Sequence, residues 1–279
     1  MNGEVWISPC GGLGDTLMLS GVLKHVIDRN HSKQFNLVTR TKYPPILSGH
    51  PAIKKIGHPP KDAVFIHSDY WNTPEYKLEH WRAYQALAYR FGLDTPIEEI
   101  LYVPWELIEN DPVLMARLPS GKIRIAISPS SDSPRKQWPL SNWEKISDML
   151  NREGAVVVQF GKRSDSYIRG AYSFLGITSP RQAIMLLRHF DVFLGQDSLF
   201  MHAAHLHNIP AVVMWGGTDS KVYGYDGQLH LSALRHCSYP QGCLGCLPYE
   251  DHCPYPDIFC MDGIKVDEVF ECIRSLINL

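Results

Sequence analysis

The chain of 279 residues carries 27 lysines and arginines against 29 aspartates and glutamates, a formal net charge of -2, with 44% hydrophobic and 20% charged residues. That length exceeds a common single domain and the composition suits burial of two cores, while the balanced charge excludes a chain-wide nucleic-acid footprint. No run approaches the ~18 apolar residues of a membrane helix, and Met1-Asn2-Gly3-Glu4 lacks the basic start and apolar stretch of a secretory signal; the expectation is a cytoplasmic protein without a membrane span.

In chain order, a strand at 4–8 leads through Gly11, Gly12 and Gly14 into a helix from about Asp15 to Arg29, with Leu17, Val22, Leu23 and Val26 on one helical face. Strands at 35–39 and 63–67 and a helix over 78–91 continue an alternation that a mostly parallel sheet requires. Breakers at Asn110-Asp111-Pro112 and Leu118-Pro119-Ser120-Gly121 mark a boundary, which divides the chain into an N-terminal domain, 1–118, and a C-terminal domain, 119–279. The second half restarts with a strand at 123–128 and a helix after Pro139, whose Ser141 and Glu144 have the spacing of a capping box. Strands at 155–160, 192–194 and 211–215 and helices at 180–189 and 198–207 complete it. The short, β-branched apolar runs suit parallel strands covered on both faces, so the predicted fold class is α/β with two Rossmann-like sheets.

Open α/β sheets bind ligands beyond the carboxyl ends of their strands, so the loops after Ser8, Ser128, Phe160, Leu194 and Trp215 are where chemistry is sought. The first holds Gly14 and Asp15, and Asp15 reads either as a helix N-cap or as a general base facing an interdomain cleft. The second holds Ser130, Arg135 and Lys136, cations suited to a diphosphate leaving group or to plain solvation; Trp138 beside them reads as a packing residue. After Leu194 come Asp197, Ser198 and, one turn into the helix, His202. The helix start would favour a phosphate, although Asp197 could cap the helix and His202 could be a hydrogen-bonded core histidine. Gly216, Gly217 and Thr218 follow Trp215 as a close-approach loop with a hydroxyl donor. A Walker lysine motif is missing, and Leu17 stands where the third glycine of a dinucleotide fingerprint belongs.

Gly14-Asp15-Thr16-Leu17, Lys136-Gln137-Trp138-Pro139 with Trp143, Asp197-Ser198 with His202, and Gly216-Gly217-Thr218-Asp219 together resemble glycosyltransferase family nine, the ADP-heptose:lipopolysaccharide heptosyltransferases and their relatives. The resemblance implies a GT-B architecture and an inverting transfer, from a nucleotide-sugar donor such as ADP-heptose, with no cofactor at the reaction centre. It assigns Asp15 as catalytic base, Lys136 to the donor phosphates, and Asp197 and Ser198 to donor binding, with Gly14, Ser130, His202, Gly217 and Thr218 around them. Leu199 departs from the glycine usual in relatives, and Pro129-Ser130 from their Pro-Gly.

Five of the seven cysteines fall between Cys237 and Cys260, unlike a disulfide framework. Cys243, Cys246, Cys253 and Cys260 are dense enough for a four-thiolate zinc or iron site, with packed reduced thiols as the alternative; by the family resemblance, a related stretch holds iron in autotransporter-modifying members. Such a site would be structural. The acceptor, whether glycolipid, protein or small molecule, is open, and peripheral membrane contact is compatible with the reading. Rival readings are a nucleotide-sugar epimerase or hydrolase of the same fold, and a non-catalytic scaffold with a cysteine finger.

Overall fold

Apolar strands separated by amphipathic helices build two sheets, one in each half of the chain. A computed structural model describes residues 4–31, 33–39, 44–104, 111–120, 123–233 and 260–277, and the chain divides into unit 1, Met1–Glu109, and unit 2, Asn110–Leu279.

Unit 1 runs β1 (Val5–Ser8), α1 (Leu13–Arg29), β2 (Phe35–Val38), α2 (Pro44–Leu47), β3 (Ile53–Gly57), β4 (Val64–His67), α3 (Pro74–Lys77) and α4 (Ala83–Arg90). Its strands lie in the order β3-β2-β1-β4, every pairing parallel. Helix α1 buries Leu17, Met18, Leu19, Val22, Leu23 and Val26, more than one stripe, because the segment after α4 covers a second face of it. Ser20 Oγ donates to the Tyr102 carbonyl at 2.6 Å, and Tyr84 Oη donates to the Ile100 carbonyl at 2.6 Å. This close passage depends on Gly21, where a Cβ would collide with the Ile100 carbonyl oxygen. His50 is buried in the same region: its Nδ1 accepts from the Ala52 N–H at 3.0 Å, which leaves Nε2 as the donor to the Ser20 carbonyl at 2.9 Å. Burial lowers its pKa to about 4, so the ring is a neutral structural bridge at neutral pH.

Unit 2 runs α5 (Pro112–Arg117), β5 (Arg124–Ser128), α6 (Leu140–Arg152), β6 (Val156–Gly161), β7 (Tyr172–Leu175), α7 (Pro180–Leu187), β8 (Val192–Gln196), α8 (Leu199–Leu206), β9 (Ala211–Trp215), α9 (Ser220–Tyr223), β10 (Leu229–Ser232) and α10 (Val266–Ile277). Strand order is β10-β9-β8-β5-β6-β7, again parallel throughout. Buried residues recur at helical spacing on α6 (Trp143, Ile146, Leu150) and α10 (Val269, Phe270, Ile273), and these two helices join one core cluster with β5, β8 and β9. Trp138 is a packing residue, meeting Trp143 edge to face and donating its Nε1–H to the Ile264 carbonyl at 3.0 Å.

The parallel α/β class expected from the sequence is what forms. The differences are local. Helices α2, α5, α9 and α10 were not expected from the sequence. Strands β3, β7 and β10, absent from the sequence reading, all lie at sheet edges. Helix α4 begins at Ala83 rather than 78, after the short α3 whose N-cap is Thr73. The Ser141–Glu144 box does not form: α6 starts at Leu140 with Pro139 as N-cap, so Ser141 is already inside the first turn. The reciprocal box occurs instead at α7, where Ser179 Oγ accepts from Gln182 N and Gln182 Oε1 accepts from Ser179 N.

Replacing Gly21 tests the packing of unit 1. Glycine-to-alanine inside a helix ordinarily gains up to ~1 kcal/mol, but here the methyl meets a backbone carbonyl, so Gly21→Ala is expected to lose about 1–3 kcal/mol. A lowered urea midpoint for unit 1 is the expected reading, and a raised one would show that the segment at Ile100 is not held where described.

Candidate functional site

Each sheet reverses its direction of winding once, and ligand crevices in such sheets open at the carboxyl ends of the two strands flanking that reversal. In unit 1 the reversal lies between β1 and β4, and in unit 2 between β5 and β8.

At the β1/β4 edge, Ser68 N donates to the Ser8 carbonyl at 3.3 Å and Cys10 N donates to Ser68 Oγ at 2.8 Å, tying the two loops together. Helix α1 begins earlier than the sequence suggested, with Gly12 as N-cap, so Asp15 is its third residue and Gly14 its second. The Asp15 carboxylate reaches back to accept from Gly12 N at 2.6 Å through Oδ2, and accepts from Tyr70 Oη at 2.7 Å through Oδ1. Gly11 makes room for it: φ is +84° there, and a Cβ would strike the Asp15 carboxylate. Asp15 thus does part of a helix cap's work with one oxygen while the other is held by a buried phenol.

At the β5/β8 edge, the two strands are joined beyond their last pairing by Gln196, whose Nε2 donates to the Pro129 carbonyl at 2.7 Å. Asp197 follows directly, and the β5 and β9 loops converge on it. Lys136 Nζ donates to Asp197 Oδ2 at 2.7 Å, and Thr218 Oγ1 donates to the same oxygen at 2.8 Å. Gly216 permits this convergence, since a Cβ there would overlap the Arg135 carbonyl oxygen of the neighbouring loop; Gly217 is buried beside it. Burial alone would raise the Asp197 pKa, but the Lys136 ammonium, its hydrogen bond, nearby His202 and the Thr218 hydroxyl hold the carboxyl below its usual range. Asp197 is therefore an anion fixed by the Lys136 cation.

Ser198 caps α8, and its buried Oγ has no hydrogen-bond partner among the described residues; the same holds for Oε1 of the fully buried Gln196. Ser130 is half-buried in the β5 loop. His202 lies in the buried face of α8 with Nδ1 2.6 Å from Tyr225 Oη, and burial lowers its pKa to about 4 despite the opposing pull of Asp197. It is a neutral, hydrogen-bonded core histidine, and Tyr225 in turn stacks flat on His205 at 3.9 Å. Leu199, the first residue of α8, is buried. The loop after β6 contributes an exposed pair, Lys162 with Asp132 at 2.6 Å, linking it to the β5 loop.

The structure thus gathers Lys136, Asp197 and Thr218 on one oxygen, with Ser198 and His202 on the adjoining helix, whereas Asp15 and Gly14 belong to unit 1. Sequence reasoning missed Tyr70, Gln196 and Tyr225. Gln196 and Tyr225 adjoin elements already singled out, but Tyr70 follows β4, and only the sheet order reveals that β4 is the neighbour of β1. Cys243, Cys246 and Cys253 lie outside the described residues; Cys260 is half-buried. Among the described residues, no group of three or more His, Cys, Asp or Glu side chains could hold a metal, and no helix is long and apolar enough to cross a membrane.

Two doubly wound parallel sheets, one in each unit, are the α/β plan of the GT-B fold. The sequence pattern of Glycosyltransferase family 9 (heptosyltransferase) matches residues 51–252, and the chain belongs to that family. Over 155 residues it is 28% identical to lipopolysaccharide heptosyltransferase 2 of Salmonella typhimurium, covering 48% of this chain and 44% of that protein. Over 99 residues it is 28% identical to lipooligosaccharide heptosyltransferase 2 of Haemophilus influenzae, covering 31% and 29%; the aligned stretch is less than half the length of either curated relative. Among solved structures, E. coli ADP-heptose lipopolysaccharide heptosyltransferase II superposes with a TM-score of 0.66 at 17% identity, over 98% of both chains. A family 9 glycosyl transferase from Veillonella parvula gives 0.73 at 13%, over 98% of this chain and 96% of that one. An iron-containing dodecameric glycosyltransferase from enterotoxigenic E. coli gives 0.71 at 18%, over 99% and 76%. At these identities the likeness is one of fold.

The Lys136–Asp197 contact makes a prediction about stability. Asp197→Asn leaves a largely buried ammonium without its counter-charge and is expected to cost about 3–5 kcal/mol, as is Lys136→Met for the converse reason, whereas the Lys136→Met/Asp197→Asn double variant costs far less than their sum. Denaturant unfolding of the four proteins measures the coupling; additive losses would mean that the two charges do not interact.

Proposed function

We propose that the protein is an inverting glycosyltransferase that moves a heptose from ADP-heptose to an acceptor hydroxyl. The observation that carries this reading is the Lys136 ammonium, held at the start of α8 by Asp197 in a chain of family 9. The donor's diphosphate is the leaving group, and its developing charge needs fixed positive groups in a site where water is scarce. Lys136 supplies a positive charge that its counter-ion prevents from swinging away, and that charge faces the developing charge of the diphosphate. The first N–H groups of α8 and the Ser198 hydroxyl add donors on the same side. Asp197 acts through Lys136, since its Oδ2 already accepts from Lys136 and Thr218. Ser130 and Gly217, in the flanking loops, complete the proposed donor-binding set; His202 supports it from behind as a buried packing residue of α8, hydrogen-bonded to Tyr225.

Asp15 is the base in this reading. As the acceptor O–H bond breaks, the proton passes to an Asp15 carboxylate oxygen, the acceptor oxygen's electron pair forms the new bond to the anomeric carbon, and the carbon–oxygen bond to the diphosphate breaks to release ADP. Attack from the face opposite the leaving group inverts the anomeric centre. The acceptor's class, glycolipid, protein or small molecule, is set by parts of the chain for which no residue is assigned. Cys243, Cys246, Cys253 and Cys260 would supply four thiolates to zinc or iron and leave no open coordination position, so a metal held there serves structure alone. The proposed setting is cytoplasmic, where nucleotide-sugars are made, with peripheral contact to a membrane if the acceptor is a lipid.

The test is release of ADP from ADP-heptose, assayed with and without heptose-deficient lipopolysaccharide core as acceptor. Asp15→Asn is expected to lower acceptor-dependent turnover by about 10²–10⁴-fold while ADP binding persists. Release that is equally fast without acceptor would identify a hydrolase, and undiminished turnover in Asp15→Asn would remove Asp15 from the chemistry.

A further inference from the structure

We propose that Tyr70 is the positioning residue of Asp15, fixing the orientation of its carboxylate; the functional value of this role rests on Asp15 acting as the base. Tyr70 is 2% exposed and its hydroxyl donates to Asp15 Oδ1 at 2.7 Å. Oδ2 is held independently by Gly12 N. A donor on each oxygen defines the rotation of the carboxylate plane about Cβ–Cγ.

The phenol is itself fixed. Its ring meets Trp71 edge-on at 5.1 Å and Tyr76 at 5.5 Å. Its backbone sits in a 3₁₀ turn, Tyr70–Asn72, closed by Tyr70 N donating to the Ser68 carbonyl at 2.9 Å and by Thr73 Oγ1 donating to the Tyr70 carbonyl at 2.7 Å. Ser68 is tied to both Ser8 and Cys10, so the turn carrying Tyr70 is anchored to the loop that carries Asp15. Tyr70 and Asp15 follow the two adjacent strands at which unit 1's sheet reverses. A neutral hydroxyl donating to a carboxylate favours the charged form, so removing the Tyr70 hydroxyl should be felt in the titration of Asp15.

The experiment titrates the carboxyl itself in the full-length protein, labelled with carbon-13 at the aspartate side-chain carboxyls. The Asp15 resonance is the one that Asp15→Asn removes. In Tyr70→Phe its titration midpoint is expected to rise by about one pH unit, with the denaturation midpoint showing that unit 1 remains folded. An unmoved midpoint in a folded Tyr70→Phe protein overturns the proposal. Should that variant fail to fold, 3-fluorotyrosine at position 70 retains the hydroxyl and makes it a stronger donor; the midpoint then falls below that of the unmodified protein, and an unchanged or raised value overturns the proposal. The two readings fail separately. A shifted midpoint with full turnover in Asp15→Asn leaves Tyr70's hold on Asp15 intact and removes the base, whereas lost turnover in Asp15→Asn with an unmoved midpoint in Tyr70→Phe removes only Tyr70.

Discussion

A single carboxylate oxygen organises unit 2's site. Asp197 Oδ2 accepts from an ammonium on the β5 loop and a hydroxyl on the β9 loop, so three strand ends are tied together through one atom. Burying a carboxylate is costly, and its cost is met here by a cation 2.7 Å away rather than by water. The consequence for chemistry is position: a lysine tethered to a buried anion holds its charge in a fixed place, which a solvated surface lysine cannot do. The nearby glycine has the same purpose, because without a hydrogen side chain at Gly216 the β5 and β9 loops could not approach closely enough for Lys136 and Thr218 to share an acceptor.

The two units solve the same problem with different chemistry. Both place their polar residues where strand order reverses, which is where the helices following adjacent strands diverge and leave a crevice. Unit 1 offers a hydrogen-bonded carboxylate there and unit 2 a buried ion pair. Such a division suits a reaction that must accept a proton and also receive negative charge. The buried histidines have another purpose: His50 and His202 are kept neutral by burial, each bridging elements by hydrogen bonds, and both support the fold around sites they do not enter.

How much of this was legible in the sequence follows from burial. The central strands β1, β5, β8 and β9 are continuous apolar runs covered on both faces, and they stand out. Three of the edge strands do not: β3 reads Ile-Lys-Lys-Ile-Gly, and β10 alternates half-buried with exposed residues, so neither differs from a loop by composition, whereas the edge strand β4, Val-Phe-Ile-His, does. Lys136, Asp197 and Thr218 were visible as unusual residues at strand ends, but their convergence on one oxygen was not, since it depends on β8 lying between β5 and β9. Tyr70 was hidden for the same reason. Asp15 looked like a cap residue at the very start of its helix; in fact α1 begins at Leu13, and the carboxylate bonds back to Gly12 from the third position. Ser141 and Glu144 had the right spacing for a box, yet Pro139 had already set the extended N-cap backbone one residue before α6 begins.

The central claim is that the Lys136–Asp197 pair serves a nucleotide diphosphate as well as the fold. Titration calorimetry with ADP on the unmodified protein and on Lys136→Met/Asp197→Asn addresses it directly, because the double variant removes both charges while leaving neither partner stranded. A Kd weakened by about tenfold or more, with the fold intact, is the expected result. An unchanged Kd would mean that the pair is structural only and that the diphosphate is held elsewhere.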